Sequence, residues 1–437
     1  MSHYAQPASQ IRCVPRFTTR EIACRHSHLP AVPGVHWRCG ARDGGAMARK
    51  MKLLLVLVFA LAACASDAPE GVAVHRQVRG DTLVLTSLGR GATVTGDRVQ
   101  VLWQSAELDR PRSMALAGNL LVIGDRTRVH LLRTDGDSVI TFGREGAGPG
   151  EFHSIYSVGA FSSDTLAVYD GRNRRLTYLS PIGELLGSHR ITPEVPFMNP
   201  SFTGDPLIPW RAGFLWHVLS GVAVGQVTRH ALAWHDPVAD TTVVLEEWEG
   251  QRLVDLGGVF GPQETFGPSV HIAIGPGPHV AVGNGLEYCI TIRALETTTI
   301  RRLCRDRPRT PVGNGIRNPD LGVLESDNRR GMIQAIVRSQ QLGDLLPSYD
   351  RLLFAMDGSL WVRTMGPELA NVHPQLLRLR SELRPTHRVW DTFDAEGRFF
   401  QTVRLPAAFD PRVVTGATIY GFYELATGEI VVGAVEI

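Results

Sequence analysis

Phe142-Gly143-Arg144-Glu145-Gly146-Ala147-Gly148-Pro149-Gly150-Glu151-Phe152 is followed by Leu166-Ala167-Val168-Tyr169-Asp170 and then by Asn173-Arg174-Arg175-Leu176. The first segment is a connection, because its glycines and Pro149 disfavour both helix and strand. Its closing Gly-x-Phe delivers one aromatic ring to whatever packs next. The second segment has the length and apolar character of a buried strand, stopped by Asp170. An Asn-Arg turn then sends the chain back through Arg175-Leu176-Thr177-Tyr178-Leu179, which turns again at Ile182-Gly183.

The same order of parts recurs in both directions. Upstream, Gly118-Asn119-Leu120-Leu121-Val122-Ile123-Gly124-Asp125 runs into Arg128-Val129-His130-Leu131-Leu132 and turns at Asp135-Gly136. Downstream, Gly213-Phe214-Leu215-Trp216 precedes His230-Ala231-Leu232-Ala233-Trp234, and His279-Val280-Ala281-Val282 precedes a hairpin holding Cys289 and Cys304. A fifth unit has Asp357-Gly358-Ser359-Leu360-Trp361-Val362, then Val389-Trp390-Asp391-Thr392-Phe393 and a turn at Ala395-Glu396-Gly397-Arg398. Small antiparallel sheets at intervals of about 40 to 50 residues predict radial repetition, a β-propeller. The segment Val413 to Ile437 supplies strands at Thr418 to Tyr423 and Glu429 to Val435 but falls short of a full unit. Asp81-Thr82-Leu83-Val84-Leu85-Thr86 is expected to complete it, closing the ring and removing the exposed sheet edge. Five units and one shared unit make six blades.

The 142 to 176 stretch resembles an NHL-type repeat, in which a Gly-rich loop ending in Gly-x-Phe precedes a strand closing on Asp and an Asn-Arg turn. Trp390 to Gly397 with Val403-Arg404-Leu405-Pro406 is similar to the late-blade pattern of six-bladed propeller lipoproteins of this type, while the third and fourth units lack the Gly-x-Phe loop. The resemblance implies an all-β, six-bladed propeller of the NHL/TolB-like kind. One helical insertion is expected between blades 4 and 5, about residues 320–346, where Leu324, Met332, Ile333, Ile336 and Val337 have partial amphipathic spacing. It reads as a helix packed on one face of the ring, with a lid or docking element as the alternative.

The N-terminal part has a different character. Arg49, Lys50 and Lys52 precede the apolar run Leu53 to Ala63, too short to span a bilayer but matched to a secretory signal. Leu61-Ala62-Ala63-Cys64 resembles a lipobox, so Cys64 is the expected lipid-attachment residue; an ordinary secretory peptide is the alternative. The expected organisation is a doubtful leader over 1–46, a lipoprotein signal peptide over 47–63, a tether over 64–75 and the propeller over 76–437. Ala65, rather than Asp, after the lipid cysteine favours the outer membrane. The predicted location is thus the cell envelope, lipid-anchored, with the propeller in the periplasm or at the cell surface.

Cleavage before Cys64 changes the charge balance. Residues 1–63 carry nine of the 45 basic and two of the 43 acidic residues, leaving 36 against 41, a net charge of −5 that argues against nucleic acid as a partner. The only lysines, Lys50 and Lys52, are removed as well, which excludes a P-loop lysine, a Schiff-base lysine and a Ser-x-x-Lys pair. No serine-hydrolase elbow, His-Glu-x-x-His helix, EF-hand loop or dinucleotide glycine fingerprint is present. No cofactor and no metal ligand set is predicted. Cys289 and Cys304 face each other if their hairpin turn has two residues, giving either a disulfide or two buried thiols.

If the units align, the innermost strands begin near Arg112-Ser113, Tyr156-Ser157, Ser201, Ser269 and Asp350. These residues are the candidate contacts for a small polar ligand in the central channel; hydroxyls spent on strand backbone are the plainer reading. His271 and His279 suit strand surface better than a metal site, because no partner histidines recur in the other units. Arg301, Arg302, Arg305, Arg307 and Arg309 read as a solvated strand and loop before an anion patch, and the seven tryptophans beyond Cys64 as core before a sugar platform. The functional expectation is a monomeric binding or scaffolding module held to a membrane by its N-terminal lipid, with an unknown protein, peptide or glycan ligand. The alternative is a metal-dependent lactonase or lyase with its active site at the channel.

Overall fold

A computed structural model describes residues 72–437 except 106–107, 138, 192–198, 201–204, 221–222, 256–259 and 325. Cys64, the signal segment and Ser201 lie outside the described residues. The described strands form a six-bladed β-propeller. Blade 1 consists of Pro111–Ala117, Leu120–Asp125, Arg128–Arg133 and Val139–Phe142, and blade 2 of Ile155–Ala160, Leu166–Asp170, Arg175–Leu179 and Leu185–Arg190. Blade 3 is built on Gly213–Ser220, Val227–Asp236 and the long outer strand Thr241–Asp255, with Asn199–Pro200 and Ile208–Trp210 on its inner edge. Blade 4 runs His271–Gly275, His279–Gly283, Cys289–Ala294, Ile300–Arg305; blade 5 runs Tyr349–Phe354, Leu360–Thr364, His387–Phe393, Phe399–Pro406; blade 6 has Phe409–Thr415, Thr418–Glu424 and Ile430–Glu436. Among the described residues no helix is long and apolar enough to cross a membrane.

Facing sheets pack through the residues the repeat places inward. Between blades 1 and 2, Val122, Leu131, Ile155, Val158 and Val168 surround Phe152, which is fully buried. Burying such a ring stabilises the fold by about 2–3 kcal/mol. Gly143 (φ 93°) lets the loop pass directly beneath it, since a Cβ there would lie 2.7 Å from the Phe152 ring. That close approach is why the Gly-rich loop and Gly-x-Phe occur together. Asp170 closes the unit by accepting from the backbone N–H groups of His153, Ser154, Arg172 and Asn173.

Ring closure differs from the sequence expectation. Thr82–Leu88 pairs in parallel with Ile300–Arg305 of blade 4, and Ala73–Arg79 folds back on it as an antiparallel hairpin. Ala92–Thr95 then pairs in parallel with the outer strand of blade 5, and Gln100–Trp103 pairs antiparallel with Ile430–Glu436. The strand that completes blade 6 is therefore Gln100–Trp103, not residues 81–86. The reason lies in burial: Leu85 packs with Leu303, Phe393 and Phe399 at the seam of blades 4 and 5, and the Ser87 hydroxyl accepts from the Phe399 N–H at 3.3 Å. The segment thus forms a belt over the outer edges of three blades.

The predicted helical insertion contains a helix at Asp327–Ser339, preceded by short turns at Asn314–Arg317 and Leu321–Val323. A second insertion, not expected from sequence, lies inside blade 5, with helical turns at Pro367–Leu369, Pro374–Leu379 and Ser381–Leu383. The two meet through Leu324, Ile333 and Leu376, which are buried together. In blade 4, Cys289 and Cys304 are direct cross-strand partners with Cα atoms 4.1 Å apart, joined as a disulfide.

Candidate functional site

Four innermost strands share a defect at the same place. The ladder between the first two strands slips by one residue at Arg112 in blade 1, Tyr156 in blade 2, Asp350 in blade 5 and Arg412 in blade 6. A bulge leaves one residue unpaired and re-aims its side chain. In blades 1 and 2 the re-aimed pair meets itself, Arg112 lying over the Tyr156 ring at 5.2 Å. In blades 5 and 6 the re-aimed residues, Asp350 and Arg412, line a cavity of about 940 Å³.

Three inner-strand beginnings form the wall of that cavity, with Ser269 and His271 from blade 4, Asp350 and Arg351 from blade 5, and Asp410 and Arg412 from blade 6. Both helical insertions also line it, through Ile336 and Gln340 of one and Leu369, His373, Gln375 and Leu377 of the other. Five arginines face it, Arg351, Arg363, Arg384, Arg388 and Arg412, against the carboxylates of Glu264, Asp350 and Asp410.

Two of these carboxylates, Asp350 and Asp410, are already engaged. Arg363 grips Asp350 through two bonds, Nε to Oδ1 at 2.6 Å and Nη2 to Oδ2 at 3.1 Å. Asp410 takes Arg351 on one oxygen and Arg412, at 2.6 Å, on the other. Burial opposes ionisation of Asp410, but Arg351 and Arg412 overcome it and hold the carboxyl well below the usual range. Arg384 donates to Glu424 at 2.5 Å. Arg388 has no hydrogen bond or ion pair among the described residues, and burial, with Arg363 alongside, lowers its pKa.

Two further donors share this state. His373 is 1 % exposed and caps the helical turn after it, its Nδ1 accepting from the Gln375 N–H at 3.3 Å. That bond fixes the tautomer, putting the ring proton on Nε2, which has no partner among the described residues. Burial lowers the pKa of His373, so the ring stays neutral at neutral pH. The Trp390 indole N–H is likewise buried without a partner, and Arg351 and Arg363 stand over its ring at 5.9 and 5.8 Å. Buried polar groups are rarely left unbonded, so unsatisfied donors beside a surplus of guanidinium groups define a site with more donors than acceptors. A carboxylate, phosphate or sulfate group would supply them.

The predicted channel residues divide between the two halves of the ring. Ser269 and Asp350 line the cavity. Arg112, Ser113, Tyr156 and Ser157 do not, and both serines are committed to neighbouring backbone: Ser113 accepts from the Val158 N–H at 3.2 Å, and Ser157 donates to the Asp205 carbonyl at 2.7 Å. Of the other residues weighed, His271 lines the cavity, with its pKa brought down to about 4 by burial. His279 bonds the Pro276 carbonyl in its own turn. The arginines between 301 and 309 are all engaged: Arg305 and Arg307 with buried Asp391, Arg302 with Glu287, Arg301 and Arg309 with backbone carbonyls. Trp210, Trp216, Trp361 and Trp390 are buried. Sequence reasoning placed Arg351 beside Asp350 at an inner-strand start but gave it no ligand role, and it missed Arg363, Arg388, Asp410 and Arg412. The Asp-Arg pattern at 350–351 and the Asp-Pro-Arg at 410–412 were the available signals.

No family model matches the chain, and no curated protein matches it. Among solved structures it is similar to a member of the DUF4221 family from Bacteroides vulgatus, with 8% identity, 84% of this chain and 98% of that one covered, and a TM-score of 0.48. A putative exported protein from Bacteroides fragilis follows at 12% identity, 79% and 99% coverage and a TM-score of 0.42. A streptogramin B lyase matches at 8% identity, 78% and 97% coverage and a TM-score of 0.39. These likenesses carry no argument about ligand or chemistry.

Proposed function

We propose that this chain is an extracytoplasmic binding module whose propeller, of the NHL type, captures a small anionic ligand in the arginine-lined cavity. The observation that carries this reading is the set of unsatisfied donors, Arg388, His373 Nε2 and Trp390 Nε1, facing or flanking one cavity. The fixed pairs Arg363–Asp350 and Arg351–Asp410–Arg412 form a rigid frame around them, so binding needs little reorganisation. Bidentate recognition of a carboxylate or phosphate suits arginine better than any other side chain. The alternative of a metal-dependent lactonase or lyase is disfavoured here, because five guanidinium groups outnumber the three carboxylates of the lining and that excess repels a cation.

Within the same proposal, lipid on Cys64 holds the module, as a monomer, to the cell envelope, with the propeller in the periplasm or at the cell surface. Calorimetric titration with phosphate, sulfate, citrate, glucuronate and glucose tests the ligand class. Saturable binding of one or more anions, weakened by salt and absent for glucose, is the expected result. Equal binding of glucose, or no anion binding, overturns it. A Cys64→Ala protein that stays wholly in the membrane fraction overturns the lipid anchor separately.

A further inference from the structure

Outside the set of cavity-lining residues, the outer strand of blade 2 and the third strand of blade 3 bring two histidines together. His189 comes from Leu185–Arg190 and His235 from Val227–Asp236, and their Nε2 atoms are 3.5 Å apart with the rings nearly parallel. Asp240, in the turn that follows His235, completes the group: one ligand atom from each of the three residues lies within 4.8 Å of the others. We infer that His189, His235 and Asp240 form a binding site for a divalent transition ion, zinc in the first instance, linking blade 2 to blade 3.

Four features point to a cation. Two nitrogens each about 2.0–2.1 Å from a tetrahedral zinc stand about 3.3–3.4 Å apart, which is close to the observed separation. Asp240 Oδ1 is buried and makes no hydrogen bond, although a carboxylate oxygen beside two ring nitrogens has donors within reach if either ring is protonated there. His235 is 1 % exposed and His189 half-buried, so the surrounding wall holds both rings in place facing each other. Behind His235, Nδ1 lies 3.0 Å from the Thr242 hydroxyl oxygen, the outer partner that fixes a metal-binding imidazole with Nε2 free to ligate. Tyr178 beside His189 and Trp216 beside His235, at 5.7 and 6.1 Å between ring centres, wall the site and strengthen its electrostatics. Three protein ligands leave one position for water or an external ligand. Two imidazoles with one carboxylate favour zinc, copper or nickel over calcium or magnesium, which prefer oxygen.

Tag-free protein, stripped with a chelator, is titrated with Zn2+, Ca2+ and Mg2+, with metal content measured after desalting and Co2+ spectra recorded. The expected result is one Zn2+ per chain, tetrahedral ligand-field bands with Co2+, no saturable Ca2+ or Mg2+ uptake, and a higher Tm with zinc. His235→Ala and the near-isosteric Asp240→Asn remove that equivalent, Thr242→Val weakens it about 10-fold or more, and the control His387→Ala leaves it unchanged. Absence of stoichiometric zinc in the wild-type protein, or zinc uptake unaltered in both His235→Ala and Asp240→Asn, overturns the inference.

Discussion

The two halves of the ring solve the same geometric problem in opposite ways. In blades 1 and 2, as in blades 5 and 6, a bulge turns one residue out of the first ladder near the start of the inner strand. On the first side the inner-strand groups are spent within the wall, Ser113 and Ser157 on neighbouring backbone and Arg112 on the Tyr156 ring. On the second, the wall is charged, roofed by helical turns and left with more donors than acceptors. A repeat can therefore keep its backbone and divide its roles, with one half joining neighbouring blades and the other lining a cavity.

The comparison breaks most decisively at the base of the charged half. Asp391 is 1 % exposed and receives Arg305 at 2.5 Å, the Tyr288 hydroxyl at 2.7 Å and the Thr402 hydroxyl at 2.9 Å. Asp391→Ala leaves a buried guanidinium uncompensated and is expected to cost about 3–5 kcal/mol in denaturant unfolding. A loss under about 1 kcal/mol would show that this seam does not depend on charge pairing.

Next in size, Arg388→Ala should weaken anion binding about 10- to 100-fold, the loss of roughly 1.5–3 kcal/mol from a hydrogen bond to a charged group. Tm should stay level or rise, because a cation crowded by Arg363 and Arg384 is gone. A large fall in Tm would instead make Arg388 part of the frame. The mirror experiment is Ser113→Ala. It should lower stability by about 1–3 kcal/mol, since the Val158 N–H loses its acceptor, while anion affinity is untouched. If Ser113→Ala also weakened binding, the two halves would not be separate.

The remaining effect is a pH slope. His271 has a pKa lowered to about 4 in the folded chain, against about 6.5 unfolded. The unfolded state takes up the proton first, so this stabilising contribution is complete above pH 6.5 and is lost as pH falls from there to about 4. His271→Gln should flatten that part of the Tm profile, and an unchanged profile would locate the slope in other buried histidines, His230 foremost.

How much of this was written plainly in the chain depended on range. Strands such as Leu120–Asp125 and Leu166–Asp170 announce themselves through local pattern and turn chemistry, and the positions of Ser269 and Asp350 followed from counting along the repeat. Partner choice did not. Thr82–Leu88 reads as a strand, but nothing in seven residues says that it lies parallel to Ile300–Arg305, and Gln100–Trp103 is too short and exposed to stand out. The second helical insertion hid because Pro367 and Pro374, which begin its turns, look like loop breakers. Arg363 and Arg388 were missed because they sit on second and third strands and line the cavity from there.

The belt has a consequence in time. Blades 1 and 2 assemble from hairpins between near neighbours, but Thr82–Leu88, Ala92–Thr95 and Gln100–Trp103 wait for partners near residues 300, 400 and 430. Such distant pairings are slow to form because the chain between them must be closed first. In a chain made from its N-terminus, the first strands synthesised are the last to find their places. Until then they remain edge-forming segments without a sheet, the stretch on which a folding helper would act longest.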